Sequence, residues 1–352
     1  MRSSNLDKQT DRTIYFDYLR ILATFAVILV HLSSQYWSQT QVGGFRWYVL
    51  TFFDGIGRWA VPVFVMISGA LFLDREISIK KIYGKYVFRM VAAFAAWSVI
   101  YAIFSDGDMT RRLLILIKGR YHMWFIPMMV GLYISIPLLK PVASDKNLLK
   151  YYLALAFVFA FAIPQAITMV DDFATEPLIT GVSALSIDLD NMGFYIVLGY
   201  TSYFILGYYL GKADLKKKQR TVIYALGGLG FVLTMGLEMA AASATQQNCG
   251  NYFNEFTVNV LFETIAVFTW FKYRSYDFPK LYPFIQKLSK YSFGAYLVHA
   301  LIIEKLDGVC GLNALSFNPV FAVPGIGLIV FVCSFVISGI INQIPILKKY
   351  IV

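Results

Sequence analysis

The sequence has few charged residues, few cysteines and few histidines for its length. Only 15% of its 352 residues are charged and 58% are hydrophobic, whereas about a quarter of a typical soluble domain is charged. This balance excludes an ordinary soluble enzyme and predicts a polytopic membrane protein. The 30 phenylalanines and 24 tyrosines are typical of the aromatic belts at the two faces of a bilayer.

The three cysteines show no metal-ligand spacing, so the sequence predicts no metal site. Cys249 and Cys310 fall in the same set of predicted outer loops, where a disulfide is chemically permitted, and the sequence leaves their pairing open. Cys333 is expected to be a small buried residue. No cleavable signal peptide is expected, since the first apolar run contains ionisable residues and no small-residue cleavage pattern follows it.

The net charge of +10 does not by itself indicate a nucleic-acid partner. Basic residues in short cytoplasmic loops of a membrane protein produce the same total. We therefore expect membrane lipid and no nucleic acid as the surroundings of this chain.

Hydrophobic runs predict an all-α membrane bundle of about ten transmembrane helices. The predicted spans are 14–34, 57–74, 86–105, 122–140, 149–170, 193–211, 221–241, 256–272, 291–306 and 319–344. We expect one domain over residues 1–352, with a bundle at 14–344 and cytoplasmic tails at 1–13 and 345–352.

Lysine and arginine counts predict the orientation of the bundle. With the amino terminus inside, 24 of the 31 basic residues face the cytoplasm and seven face outside. This split predicts both termini in the cytoplasm. The loop between the third and fourth spans is a misfit, because it is predicted outside and yet carries four basic residues.

Arg20 and His31 lie eleven residues apart in the first apolar run, with Thr24 the one polar residue between them. On a helix this spacing places both side chains on one face, about 16 Å apart along the axis. Ionisable groups in a membrane normally face a protein interior or a water-filled cavity. The pair therefore predicts a polar passage, with Arg20 towards the cytoplasm and His31 towards the outside. The alternatives are an interfacial His31 bonded to a backbone carbonyl and an Arg20 that merely pairs with Asp17.

Four segments resemble, in order, the motifs of membrane-bound acyltransferase family 3. They are 15–23 together with His31, 58–69, 122–133 and 292–299. The chain carries no appended hydrolase-like domain, and we expect the stand-alone branch, which resembles the enterobacterial common antigen O-acetyltransferase.

The resemblance implies an O-acyltransferase in the cytoplasmic membrane of a bacterium. An acyl group, commonly acetyl, passes from cytoplasmic acyl-CoA to a hydroxyl of a lipid-linked or surface saccharide on the outer side. Acyl-CoA is then a donor substrate, and no permanently bound cofactor is expected. The acyl group, the sugar and its hydroxyl, and the oligomeric state stay open.

Catalysis is assigned to His31, Arg20 and Asp17, with Asp17 holding Arg20 in position. Two chemistries remain open for His31. It either removes the proton of the acceptor hydroxyl as a general base or carries the acyl group as an acyl-imidazole.

Donor binding is assigned to Lys81, Lys85 and Arg89, whose spacing of four residues predicts one face of a helix. Such cations suit the phosphates of CoA. The alternative is a basic loop that meets anionic lipid.

Acceptor binding is assigned to Arg58, His122 and Trp124, which are predicted at the outer end. Trp124 is alternatively a residue of the interfacial belt. Supporting roles are predicted for Ser68, Tyr296, His299 and Glu263; Glu263 either orients a histidine or packs in the bundle interior.

A secondary transporter or flippase for an anionic or lipid-linked solute is the alternative function. Intramembrane Arg, His and Glu serve transporters as well as enzymes. The paired, interrupted helices of many transporters are not evident in this sequence.

Overall fold

The computed structural model describes residues 3–192 and 199–351. The described chain is 81% helical and contains no strands. Its principal helices are α1 (Ser3–Trp37), α2 (Phe45–Gly55), α3 (Ala60–Phe72), α4 (Ile79–Phe104), α5 (Met109–Lys118), α6 (Phe125–Ser144), α7 (Lys146–Phe173), α8 (Glu176–Asn191), α9 (Tyr200–Lys212), α10 (Lys217–Thr245), α11 (Val258–Tyr273), α12 (Tyr282–Cys310), α13 (Pro319–Ile341) and α14 (Pro345–Tyr350). The prediction of an all-α membrane bundle is confirmed.

Seven helical segments of the described chain are long and apolar enough to cross a membrane. Five of them lie in α1, α4, α7, α10 and α13. The sixth combines α2 and α3, and the seventh combines α5 and α6. The predicted spans 256–272 and 291–306 are helical as α11 and α12. The predicted span 193–211 begins outside the described residues and is helical from Tyr200. The number of ten spans stays a prediction.

Several helix boundaries differ from the predicted ones. α1 begins at Ser3 and α14 covers Pro345–Tyr350, so both predicted tails are largely helical. The predicted span 57–74 contains α3. The apolar segment to which α3 belongs begins earlier, at Phe45, and the chain turns between α2 and α3. Hydrophobicity indicates which segments can lie in a bilayer, but it does not determine the residue at which a helix begins or ends.

The basic loop that did not fit the orientation contains a short amphipathic helix. In α5, Asp108 caps the amino-terminal end by accepting a hydrogen bond from the backbone N–H of Arg111. Ile115 of α5 is buried, whereas its leucines and Ile117 are exposed together with its basic residues, a pattern typical of a helix that lies in a membrane interface. Arg120, just after α5, donates to Glu304 of α12 at 2.7 Å.

α1 lies at the centre of the bundle and packs against α2, α3, α11, α12 and α13. The helices α3 and α9 form another close pair, in which small residues let the two backbones approach. The Arg20 and His31 side chains lie on the part of α1 that faces the cavity.

Candidate functional site

One cavity of about 840 Å³ extends along α1 and is lined by residues of α1, α3, α4, α6 and α12. Arg20 and His31 both line it. Both side chains therefore face the same cavity, and its role as a passage across the membrane stays a prediction. Its walls between them include the apolar side chains of Val27, Val61 and Met129.

His31 and His122 line this cavity, and the third histidine, His299, packs against both of them. The ring centroids of His31 and His299 are 5.2 Å apart with the rings nearly parallel at 26°. His122 lies 5.0 Å from His299 and 6.4 Å from His31 by the same measure. His122 and His299 are almost completely buried, while His31 is partly accessible from the cavity. His31 is thus the histidine of the cluster that a substrate reaches most readily.

The backbone of α12 determines which nitrogen of His299 carries its proton. The Nδ1 atom lies 2.5 Å from the carbonyl oxygen of Tyr296, so the neutral ring donates from Nδ1. Its Nε2 atom is buried without a hydrogen-bond partner in the described chain. Tyr296, which lines the cavity, also donates from its hydroxyl to the carbonyl oxygen of His122. Tyr296 therefore ties the two buried histidines together.

One end of the cavity is cationic. Arg20 and Arg89 line it, and Tyr133 of α6 lies within electrostatic range of both. Lys287 and Lys290, from the first turns of α12, also line this end. Asp17 lies beside Arg20, with 4.0 Å between Oδ1 and the guanidinium Nη1 atom. This distance supports the interpretation that Asp17 holds Arg20 in position.

The opposite end combines a cation, a carboxylate and aromatic rings. Arg58 donates to Asp54, which is completely buried, and its guanidinium lies 4.7 Å above the ring of Phe253. Glu255, in the connection before α11, lines the cavity near Arg58. Burial raises the pKa of Glu255 above its ordinary value, and the positive charge of Arg58 opposes that rise.

Trp124 lines the same end of the cavity and is 39% exposed. Its ring lies 5.6 Å from that of Tyr200 on α9, which in turn packs against Phe256. The exposed indole face is therefore held in place by a row of aromatic rings.

Two of the three predicted donor residues do not line the cavity. Lys81 and Lys85 are exposed and only Arg89 reaches the lining. A π-helical turn over Ile82–Val87 lies within this segment, so the regular α-helical spacing does not hold along its whole length. A donor-binding role for Lys81 and Lys85 stays a prediction.

Ser68 lines the cavity and donates to the carbonyl oxygen of Phe64 within α3. Glu263 lies elsewhere. Its carboxylate accepts a hydrogen bond from the hydroxyl of Thr234 on α10. The side-chain amide of Asn259 donates to the same Thr234 hydroxyl oxygen at 2.8 Å. Asn259 accepts in turn from Gln165 of α7. These contacts favour the interior-packing interpretation of Glu263 over the orientation of a histidine.

The cysteines take no part in this site. Cys249, Cys310 and Cys333 are free. Cys333 is exposed on α13, which contradicts the expectation of burial; the neighbouring Val332 and Val336 of this helix are exposed as well. In the described part of the chain no group of three or more His, Cys, Asp or Glu side chains has a metal-binding arrangement.

Sequence reasoning missed several residues of the cavity. Lys287 and Lys290 stand just before the Ser292 motif, and their spacing of three residues on one helix was an available signal. Glu255 and Lys348 gave none, because only the folded chain brings them to the lining. Asp54 offered a weak signal, since it precedes Arg58 by four residues.

A bundle of apolar helices around one cavity with buried histidines defines a multi-pass membrane protein with an internal polar site. A family profile, described as an acyltransferase domain, matches residues 13–339. The chain therefore belongs to acyltransferase family 3 and is a membrane acyltransferase. No curated protein and no solved structure matches it.

Proposed function

We propose that this acyltransferase moves an acyl group, most simply acetyl, from acyl-CoA at the cationic end of the cavity to a hydroxyl of a lipid-linked or surface saccharide at the Arg58 end. The observation that carries the proposal is that one cavity contains the cationic end, His31 and the Arg58 end. A donor and an acceptor on opposite sides of a membrane need such a passage.

The cationic end supports an acyl-CoA donor. Arg20, Arg89 and the lysines of α12 line it, and clustered cations bind phosphates through charge-assisted hydrogen bonds. The apolar middle section suits the uncharged pantetheine arm, whose thioester then reaches the histidine cluster. Contact with anionic lipid would explain why basic residues lie here. It would not explain why they line a cavity that continues to His31.

His31 acts on the acceptor in one of two ways. As a general base, its free ring nitrogen takes the hydroxyl proton while the oxygen attacks the thioester carbonyl, and the departing CoA thiolate is then protonated. As an acyl carrier, the nitrogen attacks first, CoA leaves, and the acceptor hydroxyl attacks the acyl-imidazole. The two routes differ in whether an acylated protein forms without acceptor.

The proposal is tested with purified protein in liposomes, radiolabelled acetyl-CoA and a lipid-linked saccharide. We expect label in the saccharide and stoichiometric release of CoA. Movement of intact saccharide across the bilayer with no consumption of acetyl-CoA would instead establish the flippase alternative.

Trp124→Ala is expected to raise the acceptor KM about tenfold or more, because an indole face supplies apolar contact area for a sugar ring. The donor KM should stay within about twofold, since Trp124 lies at the end away from Arg20. Trp270→Ala, at an exposed tryptophan outside the cavity lining, is the control and should change neither value. Equal changes in both substrates' KM with Trp124→Ala would contradict the assignment.

We further propose that the cationic end faces the cytoplasm of a bacterial inner membrane, as the lysine and arginine counts predict. In a variant whose three cysteines are replaced by serine, a cysteine placed at the exposed Asp171 should react with an impermeant maleimide on intact cells. A cysteine at the exposed Lys287 should react only after permeabilisation. The reverse pattern would overturn the orientation.

A further inference from the structure

The helix α14 folds back onto α4 at the cationic end of the cavity. The cationic mouth is the exposed part of that end, lined by Arg89, Lys287, Lys290 and Lys348. The indole Nε1 of Trp97 donates to the carbonyl oxygen of Ile351 at 3.0 Å. The rings of Phe88 and Tyr350 pack edge to face with centroids 6.0 Å apart. These contacts place Lys348 among the lining residues, although no sequence motif links it to α12.

Three elements thus supply the cations of this mouth. Lys287 and Lys290 come from α12, Lys348 comes from α14, and Arg89 comes from α4. Among the described lining residues the one carboxylate is Glu255, and it lies at the opposite end. The mouth therefore carries a concentrated positive charge, which Asp17 beside the lining partly offsets, since it lies within electrostatic range of Lys290.

We propose that Lys287, Lys290 and Lys348 bind the phosphates of the nucleotide part of the donor, with α14 as the element that closes this phosphate site. The inference deepens the proposed function and rests on it. Lysine is a flexible point charge, suited to phosphates that stay partly hydrated at an open mouth. Arg20, farther inside, then lies along the path of the pantetheine arm.

The test compares three acyl donors that differ in their phosphates: acetyl-CoA, acetyl-dephospho-CoA and S-acetylpantetheine. The variant carries Lys287→Ala, Lys290→Ala and Lys348→Ala together. Its kcat/KM with acetyl-CoA should fall about tenfold, the loss expected for three exposed charge pairs. With S-acetylpantetheine, which has no phosphate, the value should stay within about twofold, and acetyl-dephospho-CoA should give an intermediate loss.

A matched control removes the same charge from another exposed surface. Lys216→Ala, Lys217→Ala and Lys218→Ala together change exposed lysines outside the cavity lining and should leave all three donors unaffected. Lys348→Arg retains the charge and should retain acetyl-CoA use. An equal loss with S-acetylpantetheine, or an equal loss in the control, would overturn the phosphate site. Absence of transfer from every donor by the wild type would overturn the proposed function itself and this assignment with it.

Discussion

His31→Ala is expected to lower the rate of acyl transfer at least about 100-fold while the protein stays folded. Positioned proton transfer alone contributes about 10²-fold to 10⁴-fold, and an acyl carrier cannot be replaced by a methyl group. The fold tolerates the change because the His31 ring faces the cavity rather than filling the apolar core. The measurement is label transfer from acetyl-CoA by detergent-purified protein that elutes as a single species.

Labelling in the absence of acceptor distinguishes the two routes for His31. Wild-type protein incubated with labelled acetyl-CoA and no acceptor should retain hydroxylamine-sensitive label if the histidine carries the acyl group. It should retain none if the histidine only takes a proton. Gln35→Ala is the control, since Gln35 lies one turn beyond His31, outside the cavity lining, and bonds to Asp307 at 2.7 Å. Unchanged transfer in His31→Ala would remove His31 from the mechanism.

Gly207→Val is expected to abolish the folded protein. A Cβ atom built on Gly207 lies 2.0 Å from the carbonyl oxygen of Met66, and one built on Gly69 lies 1.8 Å from that of Phe204. The two helices α3 and α9 therefore meet backbone to backbone, and the obstacle is a main-chain oxygen that no side-chain rotation can move. Ordinary overpacking costs about 1–3 kcal/mol, and separating two helix backbones costs more.

The effect should extend to the site, because α3 carries Ser68 on the cavity wall and α9 carries the aromatic partner of Trp124. The measurement is the yield of monodisperse protein and its thermal unfolding in detergent. Gly236→Val on α10 is the matched control, since a Cβ atom there meets nothing within 4 Å. Equal behaviour of the two variants would show that the close crossing of α3 and α9 does not limit folding.

The histidine cluster shows how far sequence reasoning reached. The spacing of Arg20 and His31 on one helix predicted a shared polar face, and both line the cavity. His122 and His299 offered no such spacing, because each lies on a different element from His31. His122 lies in the turn before α6 and His299 lies on α12, so their ring distances to His31 depend on how these segments are placed against α1.

The cationic mouth shows where sequence reasoning was incomplete. Of the spaced residues Lys81, Lys85 and Arg89, Arg89 lines the cavity and the two lysines do not. Lys287, Lys290 and Lys348 also line it. Helical spacing relates residues of one element, whereas these cations come from three elements that only the folded chain brings together.

By itself, the sequence determined that the chain is an all-α membrane protein, that its first helix carries a polar stripe, and that its motifs are those of an acyltransferase. Composition and helical spacing carry that information because burial in a bilayer acts on each segment locally. Only the tertiary structure decided that three histidines meet, that Arg58 pairs with a buried Asp54, and that α14 brings Lys348 to the cationic mouth. Those arrangements depend on contacts between distant segments, which the local pattern of residues does not encode.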